Sequence, residues 1–467
     1  MYTTKNRNHR KRASNLINGV LWSGKNLSGN FTNTMIVTYL SFYATDVLGM
    51  DAALISGVLF LTKLFDGVTD LIAGHIIDNT HTRFGKARPY DWCIPFVALF
   101  TILLFSAPQA SEGVQAAYLA IMYIMVQCVF VTLLGASDSV YLLRAFPEEK
   151  ERNSVYSISL IFSQVLNVGM GVLIPQMVAA AGTSRPEWTR MAIIGTVPFA
   201  IFGMIRFFTI KEVDAGDSSA QSKNKETGKK EKVSIKTEVR AVLGNRYLLI
   251  FTLAIFIIVL ASGFLNSSMA YFFQYYVGDQ GAMSIVSLGS IAAILMLVIF
   301  VPLSNRFGKS KIMKFGLIVA SAGALLRCVA GTNITLITVG FGMIMFGIMP
   351  ISAFFPIFMF DIMDYAEWKT GERVEGMIAA FPIFANKVAG GIAVSIGGFI
   401  LAAFGYEGSA AVQSESAMWA INFNTNTAPA ILLIIMTVVM VVFYDIDKYL
   451  PQMTKDLEAR RKQSLGK

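Results

Sequence analysis

The chain is 467 residues long, and 54% of its residues are hydrophobic while only 15% are charged. A mean hydropathy of +0.57 excludes a soluble domain of this length and indicates a membrane protein. The net charge of +9 suggests nucleic-acid binding only until the distribution of the basic residues is examined. The three cysteines show neither metal-type spacing nor a disulfide framework.

Long apolar segments recur along the whole chain and predict an all-α polytopic membrane protein with about twelve transmembrane helices. The predicted spans cover residues 19–47, 52–77, 92–107, 114–143, 155–181, 191–210, 247–277, 282–303, 312–330, 334–360, 376–404 and 428–443. The basic segment 1–18 is not interpreted as a signal peptide, because no short apolar core with a small-residue cleavage site follows it. The predicted organisation is therefore a cytoplasmic N-terminus at 1–18, six-helix bundles at 19–210 and 247–443, a linker at 211–246 and a tail at 444–467.

The basic residues of the loops lie almost entirely on one side of this predicted topology. The N-terminus, the loops after even-numbered spans and the tail carry nearly all of them, whereas the opposite side carries only Arg185 and Arg190. The positive-inside rule then places both termini in the cytoplasm. This distribution accounts for the positive net charge without nucleic acid.

Two carboxylates, Asp66 and Asp70, interrupt the second span. They are four residues apart, so on a helix they share one face, and Thr69 lies close to that face. Each Asp near the middle of a membrane helix costs about 2.5–3.5 kcal/mol on insertion scales, and two on one face repel each other. A cation held between them removes the repulsion, since carboxylate and hydroxyl oxygens suit Na⁺ and a carboxylate pair also suits a proton. The alternative is that both pair with basic residues of other helices, and Lys63 one turn earlier neutralises part of their charge.

The tetrapeptide Arg-Phe-Gly-Lys occurs twice, at 83–86 after the second span and at 306–309 after the eighth. The two copies occupy equivalent positions in the two halves of the predicted topology. Together with the linker, this repetition predicts two parallel six-helix repeats, the arrangement of major facilitator transporters.

Longer motifs identify a narrower group. They are YATDVLG at 43–49, DGVTD at 66–70 followed by RFGKARPY at 83–90, and DIMDYAEWKTGERVEGM at 361–377. From about residue 15 to the tail, the chain resembles the glycoside–pentoside–hexuronide:cation symporters, which include the melibiose and glucuronide carriers. RFGK alone would be weak, because related loops occur in many facilitator proteins.

The resemblance implies roles for several residues. It implies that Asp66 and Asp70 bind the coupling cation with Thr132 nearby, and that Thr69 replaces an Asn of the family. It implies that Lys387 lies between the cation and the sugar. The cytoplasmic cluster that holds the inner gate closed in that family matches Asp361, Asp364 and Arg373.

The sugar-binding positions depart from the family pattern. Asn26, preceded by Lys25, stands where the family has an Asp that grips sugar hydroxyls, although the nearby Asn30 matches. The substitutions on the fourth and fifth spans, where the melibiose carriers have Asp, Trp and Arg, are Gly135, Ser139 and Leu160. An Asn still donates and accepts hydrogen bonds to a hydroxyl, but without a charge.

Other polar residues leave alternatives open. Asp138 either contacts the substrate one turn from the missing Asp or forms a structural pair with a base such as Lys25. Tyr43 either stacks on a sugar ring or packs within the helices. The residues predicted to lie beside the cytoplasmic gate are Asp78, Arg83, Lys86, Arg88 and Arg152. The alternative, a solvated loop that follows the positive-inside rule, accounts for Arg83, Lys86 and Arg88 but not for Asp78.

The expected function is import of a glycoside, an oligosaccharide or a uronide by a secondary symporter in a bacterial-type inner membrane. Coupling to Na⁺ or H⁺ is expected, with H⁺ or mixed use favoured by Thr69, and no enzymatic activity, cofactor or nucleic-acid partner is expected. The chain is expected to work as a monomer among membrane lipids. Two alternatives remain, a facilitator-type carrier of a lysolipid or another amphipathic molecule, and a membrane sensor without catalytic activity.

The topology gives a first testable prediction. Reporter tags at both termini and within the linker should all report a cytoplasmic location, because almost all Lys and Arg of the loops lie on that side. Fusions to reporter enzymes that are active on only one side of the membrane make the measurement. A periplasmic signal from either terminus would contradict the twelve-span topology.

Overall fold

The computed structural model describes residues 2–80, 82–212, 242–370, 375–408, 410 and 412–465. Side chains at 2–12, 64, 67, 68, 70, 71, 78, 149, 375–377 and 461–465 are not described. The described backbone is almost entirely helical, and its one β-bridge joins Thr82 to Gly85. The predicted all-α class is therefore confirmed.

The first half of the sequence contributes six helices. α1 covers Tyr2–Thr34 and continues through π-helical and α-helical turns at Met35–Tyr39, Leu40–Phe42 and Tyr43–Val47. The next five are α2 (Ala52–Asp78), α3 (Cys93–Leu104), α4 (Glu112–Ala145), α5 (Glu149–Ala181) and α6 (Arg185–Thr209). A 3₁₀ turn at Arg88–Trp92 leads into α3, and Asp51 caps α2 by accepting from the N–H groups of Ala53 and Leu54.

The second half contributes eight helices. They are α7 (Arg246–Val277), α8 (Gln280–Phe307), α9 (Lys309–Val329), α10 (Ile334–Ala353), α11 (Phe355–Thr370), α12 (Glu375–Ala403), α13 (Glu415–Asn422, Phe423–Thr427 and Ala428–Phe443) and α14 (Leu450–Leu465). The tail helix α14 packs its Met453 and Leu457 side chains away from solvent. Its Asp456 accepts a hydrogen bond from the indole N–H of Trp368 on α11.

Within the described residues, nine helices are long and apolar enough to cross a membrane. These nine correspond to the fourth through twelfth predicted spans. The second predicted span is interrupted by Lys63, Asp66 and Asp70. α3 has only 12 residues, about 18 Å of helix against a hydrocarbon core of about 30 Å. The first three spans therefore stay predictions.

Two predicted boundaries are wrong, and each error has a local cause. The tenth span does not continue to residue 360, because α10 ends at Ala353 and a new helix begins at Phe355. Pro356, which lacks an N–H, fits the first turn of that new helix but not a helix interior. The twelfth span begins at Glu415 rather than at 428. The polar run NFNTNT at 422–427 obscured its start.

The described residues group into two compact units that do not follow the two sequence halves. Unit 1 comprises Met1–Asn224, Asn266–Ile285 and Val394–Ile421, and unit 2 comprises Lys225–Leu265, Val286–Ala393 and Asn422–Lys467. Unit 1 thus includes the end of α7 and part of α12. The predicted division into bundles at 19–210 and 247–443 remains a prediction from the repeat.

In unit 1, α1 packs against both α5 and α6, and α3 packs against α6. Aromatic pairs join α1 to α4 and to α6. The Trp22 ring lies 5.0 Å from the ring of Tyr141, and the Trp188 ring lies 5.2 Å from that of Tyr43. Burial of such large side chains fixes α1 at the centre of the unit's contacts.

In unit 2, α9 packs most closely against α10. A methyl group added at Gly347 would lie 2.1 Å from the carbonyl oxygen of Gly316, so the two backbones are in direct contact. Small residues permit such close approach between membrane helices.

A carboxylate clamp in unit 1 fixes the first RFGK loop. The Glu212 carboxylate accepts hydrogen bonds from the backbone N–H groups of Lys86 (2.9 Å), Ala87 (2.7 Å) and Arg88 (2.6 Å). Arg144 on α4 adds an ion pair at 3.7 Å, and the Glu212 side chain is only 3% exposed. Successive backbone N–H groups that converge in this way form an anion-binding nest. Here the occupant is a residue from the end of α6.

Gly85 gives the second prediction. Its φ of +116° suits glycine, and a Cβ there would lie 2.5 Å from the Glu212 carboxyl carbon. Gly85→Ala should therefore strain the backbone and displace the clamp, so the thermal unfolding midpoint in detergent should fall. Gly308→Ala is the matched control, because Gly308 has φ +91° but open space beside it. Backbone strain alone costs about 1–3 kcal/mol, so equal losses in the two variants would remove the clamp as a stabilising contact.

Candidate functional site

The carboxylate of Asp66 lies between α2 and α4 and is contacted from both. The ammonium nitrogen of Lys63 lies 3.6 Å from Asp66 Oδ2, and the Thr132 hydroxyl lies 3.5 Å from Asp66 Oδ1. The Thr69 hydroxyl donates to the backbone carbonyl of Asp66 at 2.9 Å. The structure thus brings Thr132, Thr69 and Lys63 to Asp66. Thr132 thus lies beside the Asp66 carboxylate, and its predicted role in cation binding stays a prediction.

The local backbone explains how Thr132 reaches this position. α4 is π-helical at Ile124–Val131, directly before Thr132, and single-turn π segments often lie at functional sites. The Thr132 hydroxyl also lies 3.0 Å from the carbonyl oxygen of Gln127. The side chain of Asp70 lies outside the described residues, so its place in the cation site remains a prediction.

Four charged residues form a network in unit 1, three of them buried and the fourth, Asp138, half-buried. Arg206 on α6 forms a bidentate ion pair with Asp91, and its Nη1 lies 2.8 Å from Asp138 Oδ1. The Lys25 ammonium lies 2.6 Å from the same Asp138 oxygen. Arg206 also stacks on Trp22, with its guanidinium carbon 4.4 Å from the ring. The side chains of Arg206 and Asp91 are 0% and 1% exposed, so their charges must be neutralised by these contacts.

This network settles the geometry of Lys25 and Asp138. Both were predicted among the substrate-binding residues, with a mutual ion pair as the alternative for Asp138. The structure contains the pair, and Arg206 joins it. Since two cations face two carboxylates, the network carries no net charge, and neither Lys25 nor Asp138 presents an uncompensated charge to a ligand.

The two predicted asparagines lie one turn apart on α1 and are half-buried. The Asn26 amide donates to the hydroxyl of Ser163 on α5 at 3.1 Å. Asn30 shares the face of Asn26, four residues along the helix. An amide that donates to Ser163 still has a carbonyl oxygen and a second N–H for a sugar hydroxyl.

The positions that depart from the family pattern are accessible. Gly135 has open space beside its Cα, and Ser139 and Leu160 are exposed. By contrast, Tyr43 was predicted in the substrate site and is fully buried. Its ring packs on Trp188, and its hydroxyl accepts the N–H of Ala107. The packing alternative therefore describes Tyr43 in this structure.

Lys387 lies on α12 within unit 2 and is half-buried. The described helix continues through it without a break from Glu375 to Ala403. Its predicted location between cation and sugar stays a prediction.

The predicted gate residues divide into several groups. In unit 2, the ammonium nitrogen of Lys309 lies 2.5 Å and 2.6 Å from the two oxygens of Asp361. Burial raises the pKa of the Asp361 carboxyl, and the Lys309 ammonium opposes that shift. Lys309 belongs to the second RFGK motif, and sequence reasoning did not assign it this partner. Asp364 is half-buried on the same helix, whereas Arg373 and the side chain of Asp78 lie outside the described residues.

In unit 1, the predicted gate residues belong mainly to the clamped loop. The exposed Arg83 stacks on Phe84 at 4.7 Å. Lys86 and Arg88 offer backbone N–H groups to Glu212, and the Arg88 guanidinium donates to the carbonyl of Phe207. Arg152 is half-buried near the start of α5. Hydrogen bonds to Glu212 and Phe207 thus fix the conformation of this loop, so the alternative of a merely solvated turn is wrong for Lys86 and Arg88.

Sequence reasoning missed one further carboxylate, Asp46 in the YATDVLG motif. Its oxygens accept hydrogen bonds from the hydroxyls of Thr45 (2.6 Å), Tyr275 and Tyr406 (2.7 Å). All four residues belong to unit 1. The phenols come from distant parts of the sequence, so only the motif itself could have marked Asp46.

The comparisons with known proteins agree with this structure. The model of the family described as MFS/sugar transport protein matches residues 26–448. The chain belongs to that family. It is therefore a membrane transporter and not an enzyme, and its predicted relationship to the glycoside–pentoside–hexuronide type is confirmed.

Individual relatives cover nearly the whole chain. The isoprimeverose transporter of Lactiplantibacillus pentosus is 28% identical over 93% of this chain and 89% of its own length. The glucuronide carrier protein homolog of Escherichia coli K12 is 22% identical over 93% and 94%. The crystal structure of the nucleoside transporter NupG superposes with a TM-score of 0.59 at 14% identity, covering 94% and 99%. This last similarity shows the fold alone.

The buried network gives the third prediction. Arg206→Met keeps the bulk but leaves Asp91 and Asp138 without their shared guanidinium, which should cost about 3–5 kcal/mol of unfolding free energy. Unfolding in detergent should be compared with Arg190→Ala, which removes an exposed pair with Glu187 and should cost about 1 kcal/mol or less. A loss no larger than that of Arg190→Ala would contradict the scaffold role of Arg206.

Proposed function

We propose that this transporter is a symporter that imports an uncharged glycoside or oligosaccharide together with one monovalent cation. The observation that carries the proposal is the Asp66 carboxylate on α2, which is contacted by Lys63 and Thr132. The family membership supports sugar transport, and the two sugar-carrier relatives named above support a saccharide substrate.

The charge balance on α2 supports a single coupling cation. Lys63, Asp66 and Asp70 together carry a net charge of −1 when all three are ionised. One bound Na⁺ or H⁺ brings this segment to zero, whereas the empty segment keeps a charge that is costly in a low-dielectric core. The Thr132 hydroxyl and the Asp66 carboxylate offer the hard oxygen ligands that Na⁺ takes. The same carboxylates also serve a proton.

An unneutralised carboxylate also explains how coupling would work. A carrier that holds substrate without a cation would meet an energetic penalty when it changes between its outward-open and inward-open states. The bound cation would remove that penalty. Lys387 and the substrate would then occupy the site beside the neutralised pair. The membrane potential contributes about 2.3 kcal/mol per charge per 100 mV. At about 1.36 kcal/mol per tenfold change, one cation supports roughly 50-fold accumulation from that term.

The environment of Lys25 supports an uncharged substrate. Its ammonium is held by Asp138 at 2.6 Å and is not available to attract a uronide carboxylate. The exposed Leu160 and the open space beside Gly135 replace charged sugar contacts of the family with an apolar, roomier surface. Asn26 and Asn30 remain as neutral hydrogen-bonding groups for sugar hydroxyls.

The proposed setting is a bacterial cell membrane with both termini in the cytoplasm. Two of its supports are the one-sided distribution of loop Lys and Arg and the bacterial origin of the relatives. The protein would work as a monomer.

The fourth prediction tests the cation site. Asp70→Asn should abolish cation-driven accumulation yet keep downhill or exchange flux, because the variant no longer needs a cation to cross. Asp66→Asn should weaken cation affinity or change cation choice. Uptake into sealed vesicles under an imposed Na⁺ or pH gradient measures both variants.

Asp51→Asn is the matched control, since Asp51 caps the start of the same helix and Asn caps equally well. It should transport like the unaltered protein. Full gradient-driven accumulation in either Asp66→Asn or Asp70→Asn would contradict the cation site.

A substrate panel in the same vesicles tests the ligand. Neutral oligosaccharides and glycosides should drive cation-dependent uptake more strongly than uronides of similar size. Preferential uptake of uronides would overturn the neutral-substrate proposal while leaving the cation site intact. Uptake of lysolipids without sugars would favour the amphipathic-carrier alternative.

A further inference from the structure

An apolar groove of about 600 Å³ runs along the surface of unit 1 between α3 and α6. Its lining includes Trp92, Leu99, Ile102, Ile201, Met204 and Phe208, and it contains no ionisable side chain. Its volume lies within the range of about 300–1,000 Å³ that is typical of small-molecule sites.

The groove faces the surroundings of the protein rather than its core. Leu99, Ile201 and Phe208 are 47%, 65% and 65% exposed. Since α6 is long and apolar enough to span a membrane, its exposed Ile201 and Phe208 are placed to face the lipid hydrocarbon. An occupant of this groove must therefore be apolar over most of its length.

One end of the groove is aromatic and basic. Trp92 and Phe84 both pack on Phe207, at ring distances of 5.9 Å and 5.8 Å. Arg88 stacks on Phe207 at 4.7 Å and donates to its carbonyl. Arg83 stacks in turn on Phe84. The groove therefore ends at a belt of aromatic rings and guanidinium groups.

Two cations at this end are available to a ligand. Arg83 and Lys211 are exposed, and the structure shows neither in contact with a carboxylate among the described residues. Lys211 directly precedes Glu212, which is clamped to the N–H groups of this same loop. The Glu212 carboxylate is occupied by the backbone N–H groups of the loop, so it does not pair with Arg83 or Lys211 at the surface.

We propose that the groove binds an anionic phospholipid, with an acyl chain along α3 and α6 and the phosphate against Arg83 and Lys211. An apolar channel that ends at Trp and Arg matches a molecule with a hydrocarbon tail and an anionic head. The positive-inside rule places that head in the cytoplasmic leaflet, where anionic lipids attract basic residues near the surface. The site is separate from the α2 carboxylates and does not depend on the transport proposal.

The experiment measures retained lipid by native mass spectrometry. The full chain is reconstituted in bilayers of equal phosphatidylglycerol and phosphatidylcholine with matched acyl chains, then extracted in detergent. The unaltered protein should retain phosphatidylglycerol in preference to phosphatidylcholine. Arg83→Ala combined with Lys211→Ala should retain roughly 30-fold less phosphatidylglycerol. Ile201→Trp, which fills the groove, should lose retention of both lipids.

Arg306→Ala is the matched control. Arg306 stands in the second RFGK motif, is exposed and stacks on Phe307 at 5.2 Å, as Arg83 stacks on Phe84. A second surface groove, in unit 2, is lined near the opposite end of α8, at Leu288 and Ala292. Arg306→Ala should therefore retain lipid like the unaltered protein.

Several results would overturn the proposal. They are equal retention of the two lipids, unchanged retention in Ile201→Trp, or a loss in Arg306→Ala as large as in the double variant. A dimer that Ile201→Trp dissociates would instead assign the groove to a second copy of this chain. Unchanged thermal unfolding midpoints in the variants show that lost lipid does not reflect lost folding.

Discussion

A charge inside a membrane protein must be neutralised within reach of its own side chain, and the first half of this chain depends on that constraint. Arg206 meets it by binding Asp91 and Asp138, and Asp138 in turn binds Lys25. These four residues come from α6, from the turn before α3, from α4 and from α1. One electrostatic network therefore joins four segments and fixes their relative register. Removing any one member leaves the network with a net charge of one unit, which is costly among buried groups.

The α2 segment differs from this network in one decisive respect. The scaffold network balances two positive charges with two negative ones, whereas the α2 sequence carries one lysine, Lys63, for two carboxylates, Asp66 and Asp70, and the structure describes its contact with Asp66. A balanced network is inert, but an unbalanced one is sensitive to whatever cation is present. This contrast distinguishes structural charges from proposed coupling charges more reliably than burial does, since both sets lie within the helices.

The repeated RFGK motif acquires a physical meaning from its contacts. In unit 1, Glu212 after α6 is bound by the backbone of the loop that follows Gly85. In unit 2, Asp447 after α13 accepts a hydrogen bond of 2.6 Å from Ser310, next to the second motif. In both cases an acidic residue that follows the last apolar helix of a half binds at or next to the motif, through backbone N–H groups in unit 1 and through the Ser310 hydroxyl in unit 2.

The sequence predicted much of this molecule where a local signal existed. Of the twelve spans predicted from apolar length, nine are confirmed by helices of the structure. The spacing of Asp66 and Asp70 on α2 marked Asp66 as a candidate cation ligand. Prediction failed where the deciding partner lies far along the chain. Asp46 reads as an ordinary end of a span, because Tyr275 and Tyr406 are more than 200 residues away.

The same cause explains other errors. Within the polar run 422–427, Asn426 accepts a hydrogen bond of 3.1 Å from the buried Arg327, which lies 99 residues away in the sequence. Tyr43 appeared available to a sugar, because its packing on Trp188 comes from α6. Local sequence patterns specify helices. Whether a given side chain packs against other helices or stays free to bind a ligand depends on residues that are distant in the sequence.

The hydrogen bonds to Asp46 have a consequence for dividing this protein into two polypeptides. The sequence repeat and the linker suggest two halves that could be produced as separate polypeptides. A fragment that ended within the linker would contain Asp46 but neither Tyr275 nor Tyr406, so this carboxylate would lose two of its three hydroxyl donors. A first half produced alone would therefore leave the Asp46 carboxylate with Thr45 as its one remaining hydroxyl donor of the three, and unit 1 would lack the segments 266–285 and 394–421 that the second half supplies.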